Sequence, residues 1–318
     1  MRVVIIGAGN VASVFGRLIS AANHEIIQVY SRSISSAQSL GKEFGCSFVD
    51  NLEAVDLTAD IYILAITDNA LQSIQDSLFL GDKLVVHTAG SVSKKVLSNI
   101  SSQYGVLYPL QSLRKDQSAD QSIIPLLIDA NKESVLSIIE QFAFTLSSVV
   151  SIVGDEKRLC LHLAAVIVNN FTNHLYTLTA EYCKNEEVDF KMLQPIIEQT
   201  ALRLRANLPA DLQTGPAIRN DQSTLDKHTE IDTDFLGLAY KNKYMLERNM
   251  YNQMYNIYRV LDQVNTKYCI KHRSDEYYIN MNEFINLMKT SDKLIINNLF
   301  FSGNQYYISD HLFGTTTI

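Results

Sequence analysis

An apolar run, Val3-Val4-Ile5-Ile6, passes straight into Gly7-Ala8-Gly9-Asn10-Val11-Ala12. Two glycines and a small residue at this spacing, between a strand and a helix, suit pyrophosphate binding. The first glycine permits the tight turn and the second lets phosphate approach bare backbone. Ala12 lets the helix pack closely on the strand. The helix start offers free N–H groups and the positive end of its dipole. Gly7, Ala8, Gly9, Asn10, Val11 and Ala12 are therefore expected to cradle a dinucleotide. The bland alternative is a tight glycine turn that binds nothing.

The next apolar run ends at Val29-Tyr30-Ser31-Arg32-Ser33, and no acidic residue occurs between Ile26 and Ala37. An NAD site usually carries an acid here for the ribose 2′-hydroxyl. A guanidinium between two hydroxyls suits a 2′-phosphate instead. Ser31, Arg32 and Ser33 thus point to NADP(H), unless Arg32 is merely solvated. Later strand ends face the same ligand. Thr67 and Asp68 should pass beside its ribose, although Asp68 could simply cap a helix. His87 could donate to a developing negative charge, or be a packed, hydrogen-bonded histidine. Tyr108 is an acid, a stacking group or a packed ring.

Two further clusters are polar. Leu161 to Asn170 is apolar nearly all round, so burial is expected, and polar groups in it then need partners. His162 and Asn169 lie seven residues apart, about two helical turns, with the small Ala165 between them. They line a substrate cleft or form a buried network or dimer seam. Thr214-Gly215-Pro216 reads as a turn, with Arg219, Asp221 and His228 beyond. Arg219 is a natural clamp for carboxylate or phosphate. Thr214, Arg219 and Asp221 are the expected substrate-binding groups, the alternative being an Asp–Arg brace. His162, His87 and Asn169 are the expected catalytic groups.

These residues need elements to hold them. Strands are expected at Val3–Ile6, Ile26–Tyr30, Ser47–Val49, Ile61–Ile66, Leu84–His87, Gly105–Tyr108, Ile124–Ile128 and Val149–Val153. Val11, Val14, Phe15, Leu18, Ile19 and Ala22 form one helical face. Strands alternating with helices imply a mostly parallel α/β sheet covered on both faces. Beyond Gly154 the pattern turns helical, with Asp155 as N-cap and helices to about Lys184, over Asp189–Ala206 and over Asp232–Gln263. The expected organisation is a Rossmann-type domain at 1–153 and an all-α domain at 154–263. The element at 264–318 has no evident role. In it, Asn280–Met288 reads as a short helix and Leu294–Phe301 with Gln305–Ile308 as a hairpin.

Composition sets the outer limits. The 318 residues are 47% hydrophobic, with five prolines and 13 glycines, which excludes collagen-like or low-complexity chains. A net charge of −7 argues against a nucleic-acid grip. Cys46, Cys160, Cys183 and Cys269 form no C-x-x-C pair, which fits a reducing compartment and no metal. The N-terminus lacks a signal-peptide pattern and no stretch reaches membrane-span length. A cytoplasmic protein without membrane or nucleic-acid partners is expected.

The N-terminal half resembles the NADP-binding domain of pyrroline-5-carboxylate reductases and deazaflavin-dependent NADP oxidoreductases. His162, Ala164, Ala165 and Asn169 or Asn170 match a His-x-Ala-Ala…Asn segment. Thr214, Gly215, Pro216, Arg219, Asp221 and His228 match a Thr-Gly-Pro…Arg-x-Asp…His segment. Both belong to Rossmann-like proteins that carry the C-terminal helical domain of unknown function 2520. The resemblance spans about residues 1–262. It implies an NADP(H)-dependent oxidoreductase fold and a homodimer through the helical domain. It names no substrate, and a C=O or C=N group of a small, anionic molecule is the expected target. The alternative is a non-catalytic NADP-binding sensor or structural dimer. Two positions depart from the pattern: His87-Thr88-Ala89-Gly90 replaces His-x-Ser-Gly, and Tyr108-Pro109 replaces His-Pro.

Overall fold

The computed structural model describes residues 1–116, 124–215, 218–221, 223, 224 and 227, and the strand residues 299–302 and 305–308. Two compact units divide the chain, Met1–Asn170 and Phe171–Ile318.

The first unit is built on an eight-stranded sheet. Its strands are β1 (Arg2–Ile6), β2 (Glu25–Tyr30), β3 (Ser47–Val49), β4 (Ile61–Leu64), β5 (Gly81–His87), β6 (Ser101–Pro109), β7 (Leu126–Ala130) and β8 (Val150–Ile152). The spatial order is β3-β2-β1-β4-β5-β6-β7-β8. Pairing is parallel except between β6 and β7. The chain runs outward through β2 and β3, then returns to lay β4 beside β1. The carboxyl ends of β1 and β4 therefore flank the reversal point, where ligands of open α/β sheets bind.

The central strands are buried on both faces, so they read as continuous apolar runs rather than alternating ones. Val3 and Ile5 of β1 enter one core, and Val4 and Ile6 enter the other. Ile61 and Ile63 of β4 likewise oppose Tyr62 and Leu64. Helices α1 (Asn10–Ala21) and α4 (Glu133–Leu146) cover the first face, with α2 (Ile34–Phe44) at its edge. Helix α1 buries Val14, Phe15, Leu18 and Ile19 of the expected stripe. Helix α3 (Asp68–Ile74) adds Leu71 and Ile74 to the second core.

Helix α5 (Asp155–Ala165) folds with the first unit. The expected continuous helix to Lys184 is interrupted. A π-helical segment, Val166–Phe171, separates α5 from α6 (Thr172–Asn185). The expected burial of Leu161–Asn170 is also corrected. Ile167 is 48% and Val168 71% exposed, because few residues of the described chain pack on this stretch. Asp155 is not the cap of α5. Gly154 holds that position, and the Asp155 carboxylate is drawn instead to Ser93, Lys94 and Arg158.

In the second unit, α7 (Gln194–Arg203) follows a short 3-10 turn at Phe190–Leu193, so the expected 189–206 helix is shorter. The hairpin appears as β9 (Leu299–Ser302) paired antiparallel with β10 (Gln305–Ile308). The expected helices at 232–263 and 280–288 lie outside the described residues.

Candidate active site

The glycine turn is built as the pattern requires, and its two glycines differ. Gly7 has φ of 125°, and a Cβ there would fall 2.2 Å from the Ala65 carbonyl oxygen at the end of β4. Only glycine lets the turn lie against the neighbouring strand. At Gly9 a Cβ would meet nothing within 4 Å among the described residues, which leave the space in front of this backbone open. Gly9 is also the N-cap of α1, and among the described residues no side chain caps that helix. The first-turn N–H groups are thus not taken up by a capping side chain. An open glycine face beside an uncapped helix start fits a pyrophosphate. The Asn10 carbonyl Oδ1 accepts from the Lys115 N–H at 3.3 Å, which ties the start of α1 to the loop after β6.

At the end of β2, Arg32 is exposed. Around it lies a group of serine hydroxyls at the start of α2. Ser33 Oγ caps the helix, accepting from the Ser36 N–H at 3.4 Å and the Ser36 hydroxyl at 3.1 Å. Ser31 Oγ accepts from the Ser33 N–H at 3.3 Å. A guanidinium, hydroxyls and a helix N-terminus together make an anion-favouring corner.

Three strand ends and α5 supply the remaining polar groups. Thr67 occupies the N-cap of α3, so Asp68 is not the cap. It is the first residue of the helix, with its carboxylate accepting from the Ser91 hydroxyl after β5. Tyr108, at the end of β6, is buried, and its hydroxyl lies 2.8 Å from His162 Nδ1 on α5. Gly90 sits beneath both rings. A Cβ there would be 2.6 Å from His162 Nδ1 and 2.8 Å from Tyr108 Cζ. Burial pushes the Tyr108 hydroxyl up to about 12. Burial also lowers His162, against the opposing pull of Asp68. Both groups are therefore uncharged near neutral pH: a phenol and an imidazole in hydrogen-bonding distance.

His87 is fully buried at the end of β5, and its Nδ1 accepts from the Ala89 N–H at 3.2 Å. Burial, then Arg158, lowers it to about 3, although Asp155 and the Ser93 backbone pull upward. It is a packed, neutral histidine that shapes the turn to Gly90. Below its ordinary value of about 6.5 the unfolded chain takes up a proton that the folded chain refuses until about pH 3. Stability is thus lost as pH falls through this window, by about 2 kcal/mol at pH 5 relative to pH 7. Urea melts at the two pH values should show a smaller loss in His87→Gln. Equal losses in both chains would remove His87 as the cause.

Asn169 and Asn170 lie in the π segment, with Asn169 Nδ2 donating to Asn170 Oδ1 at 3.0 Å. A π turn is wider than an α turn, so the seven residues from His162 to Asn169 no longer correspond to two α-helical turns. Thr214, Arg219 and Asp221 lie in the second unit, with Thr214 and Arg219 exposed. Asp221 accepts from the Thr224 N–H at 3.2 Å and its hydroxyl at 2.8 Å, as a capping carboxylate does. Pro216 and His228 lie outside the described residues. Sequence reasoning missed Gly90, Ser91 and Arg158. The available signal was an Asp155–Arg158 pair at i, i+3 spacing at the start of a helix. Among the described residues no group of three or more His, Cys, Asp or Glu is placed to hold a metal, and no helix is long and apolar enough to cross a membrane.

Residues 2–90 match the family model of coenzyme F420-dependent NADP oxidoreductases, and residues 124–261 match DUF2520, a domain of unknown function. A Bacteroides fragilis protein provisionally named an NADP oxidoreductase is 32% identical, with a TM-score of 0.66, covering 83% of this chain and 98% of its own. A 1-pyrroline-5-carboxylate reductase from Streptococcus pyogenes shares the fold at 15% identity and a TM-score of 0.56, covering 83% and 98%. So does an imine reductase from Myxococcus stipitatus in complex with NADP+, at 16% identity and a TM-score of 0.50, covering 83% and 94%. No curated protein matches the chain.

Proposed function

The chain belongs to the NADP oxidoreductases that carry a DUF2520 domain, and from that premise we propose that it reduces a C=O or C=N group of a small substrate. The cofactor is NADP(H). Gly9 offers it open backbone at an uncapped helix start, and Arg32 stands where no acid opposes an extra phosphate. Bound NADPH supplies the hydride.

The observation that carries the reading is the Tyr108–His162 pair, 2.8 Å apart, with Tyr108 at the carboxyl end of β6 and His162 on α5. Hydride addition to a carbonyl or imine carbon leaves charge on oxygen or nitrogen, which a proton must quench. In our reading the Tyr108 phenol gives that proton. His162, with its proton on Nδ1, donates to the phenol oxygen and steadies the phenolate until solvent returns the proton. A tyrosine held protonated by burial stays loaded across the neutral range. Thr214, Arg219 and Asp221 are the proposed substrate-binding residues, with Arg219 suited to a carboxylate. We assign Asn169 a substrate-facing role and His87 no proton transfer.

NADPH oxidation measured against a panel of cyclic imines and 2-keto acids tests this proposal. Turnover of a panel member supports it. NADPH binding with no turnover of any compound would favour the second reading, a non-catalytic NADP-binding module.

Arg32→Ala should weaken NADPH binding about tenfold, the worth of one charge-assisted contact at an exposed site. NADH binding should stay within about twofold of the native value. Calorimetric titration of both coenzymes checks this. Equal losses for the two would show that Arg32 does not read the 2′-phosphate.

We also propose a homodimer through the helical unit, where Leu175, Met192 and Ile196 are 60%, 78% and 65% exposed. Such apolar side chains are the stuff of obligate interfaces. A monomer mass by light scattering at micromolar concentration would overturn it.

A further inference from the structure

Arg158 is 1% exposed, and its guanidinium is surrounded by the turn that follows β5. Nε donates to the Gly90 carbonyl at 3.3 Å, and Nη2 donates to the Val92 carbonyl and to Asp155 Oδ1, the latter at 2.8 Å. Asp155 is gripped from the same turn. Its other oxygen accepts from the Ser93 hydroxyl at 2.5 Å, and Oδ1 accepts from the Lys94 N–H at 3.2 Å. Lys94 Nζ in turn reaches Asp129 Oδ2 on β7 at 2.5 Å. The turn at 90–94 is thus bracketed between α5 and the sheet by charged groups.

Burying a guanidinium is expensive, and Nη1 has no hydrogen-bond partner among the described residues. An apolar side chain would fill this volume with less desolvation cost. Fixed geometry is what the arginine supplies that a hydrophobic residue could not. That geometry matters at one place. Gly90, whose carbonyl Arg158 holds, lies so close to His162 and Tyr108 that even a methyl group would collide with both. Arg158 and His162 are four residues apart on α5, so one helix face carries both the clamp and the ring it serves.

We propose that Arg158 is a positioning residue: it pins the Gly90 turn against α5 and so sets the contact between Tyr108 and His162. The proposal rests on the reading of that pair as the proton donor. Asp68 and Arg158 are the charged groups that act on both rings, so a variant that keeps the charge is needed. Arg158→Lys keeps it but cannot reach two carbonyls and a carboxylate together. Gly90→Ala leaves the guanidinium intact and crowds the pair directly.

The readout is the long-range ¹⁵N spectrum of His162 in the full chain labelled at histidine, assigned by the loss of its signals in His162→Asn. The native chain should show one neutral tautomer. Both variants should show a second tautomer, and their His162 midpoint should move up towards that of a free imidazole. Native-like His162 signals in either variant, with an intact thermal melt, would overturn the proposal. Should the variants not fold, hydrogen exchange in the native chain decides instead. Slow exchange over residues 88–93 supports the clamp, and exchange at the rate of an open loop overturns it. Failure of the chemical reading looks different: Tyr108→Phe would keep full turnover while Arg158→Lys still altered the His162 spectrum.

Discussion

Tyr108→Phe should lower turnover about 10²- to 10⁴-fold, the contribution of a positioned general acid, and leave NADPH affinity unchanged. The ring still fills its place in the core beside Val106 and Leu127, so only the proton is removed. The pH dependence follows from the direction of each shift. The phenol, held up to about 12, remains protonated through the alkaline range where an ordinary tyrosine ionises. Native turnover should therefore show no fall centred on the ordinary phenol value of about 10. His162, lowered by burial, gains its second ring proton only below the ordinary imidazole range, so the pair keeps its neutral form down to mildly acidic pH. NADPH oxidation with whichever imine or keto acid proves to be turned over checks both points. Full turnover in Tyr108→Phe, or an alkaline fall near pH 10 in the native chain, would dismiss Tyr108 as the donor.

The second large effect separates the two glycines of the binding turn. Gly7→Ala should cost about 4 kcal/mol of stability. Left-handed strain and overpacking each contribute about 1–3 kcal/mol. The new methyl would sit 2.2 Å from a backbone oxygen that has no room to retreat. Gly9→Ala should melt within a degree or two of the native chain, because its φ of −90° suits any residue and its Cβ meets open space. It should nevertheless lose NADPH affinity at least tenfold, since the methyl would occupy the approach to the first-turn amides. Thermal melts and calorimetry on the two variants give a crossed result. A stable Gly7→Ala, or a Gly9→Ala that binds normally, would contradict this account of the turn.

Much of the sheet was legible because its central strands are buried on both faces, so they register as unbroken apolar runs bounded by polar turns. All eight expected strands of the first unit are present, with ends shifted by a few residues. The antiparallel β6–β7 pair was not legible, because a run of apolar residues carries no sign of direction. The helical half was read less well. The π segment at 166–171 has no compositional signature, and it breaks the α-helical spacing on which His162 and Asn169 were placed together. Exposure of Ile167 and Val168 was likewise misjudged, because an all-round apolar helix looks the same whether its own chain covers it or not.

The sequence by itself carried the reading of a dinucleotide cradle and of NADP(H) as its coenzyme. Their chemistry is local: six consecutive residues at the end of one strand, and one arginine between two serines at the end of the next. Backbone sterics and the hydrogen-bonding of neighbouring residues need no distant partner to be read. Tertiary structure alone decided that Tyr108 meets His162 across 54 residues of chain, with Gly90 as the spacer and Arg158 holding that spacer in place. Such contacts depend on which strands lie side by side and where α5 docks. Those are set by the packing of the whole core rather than by the identity of any one segment.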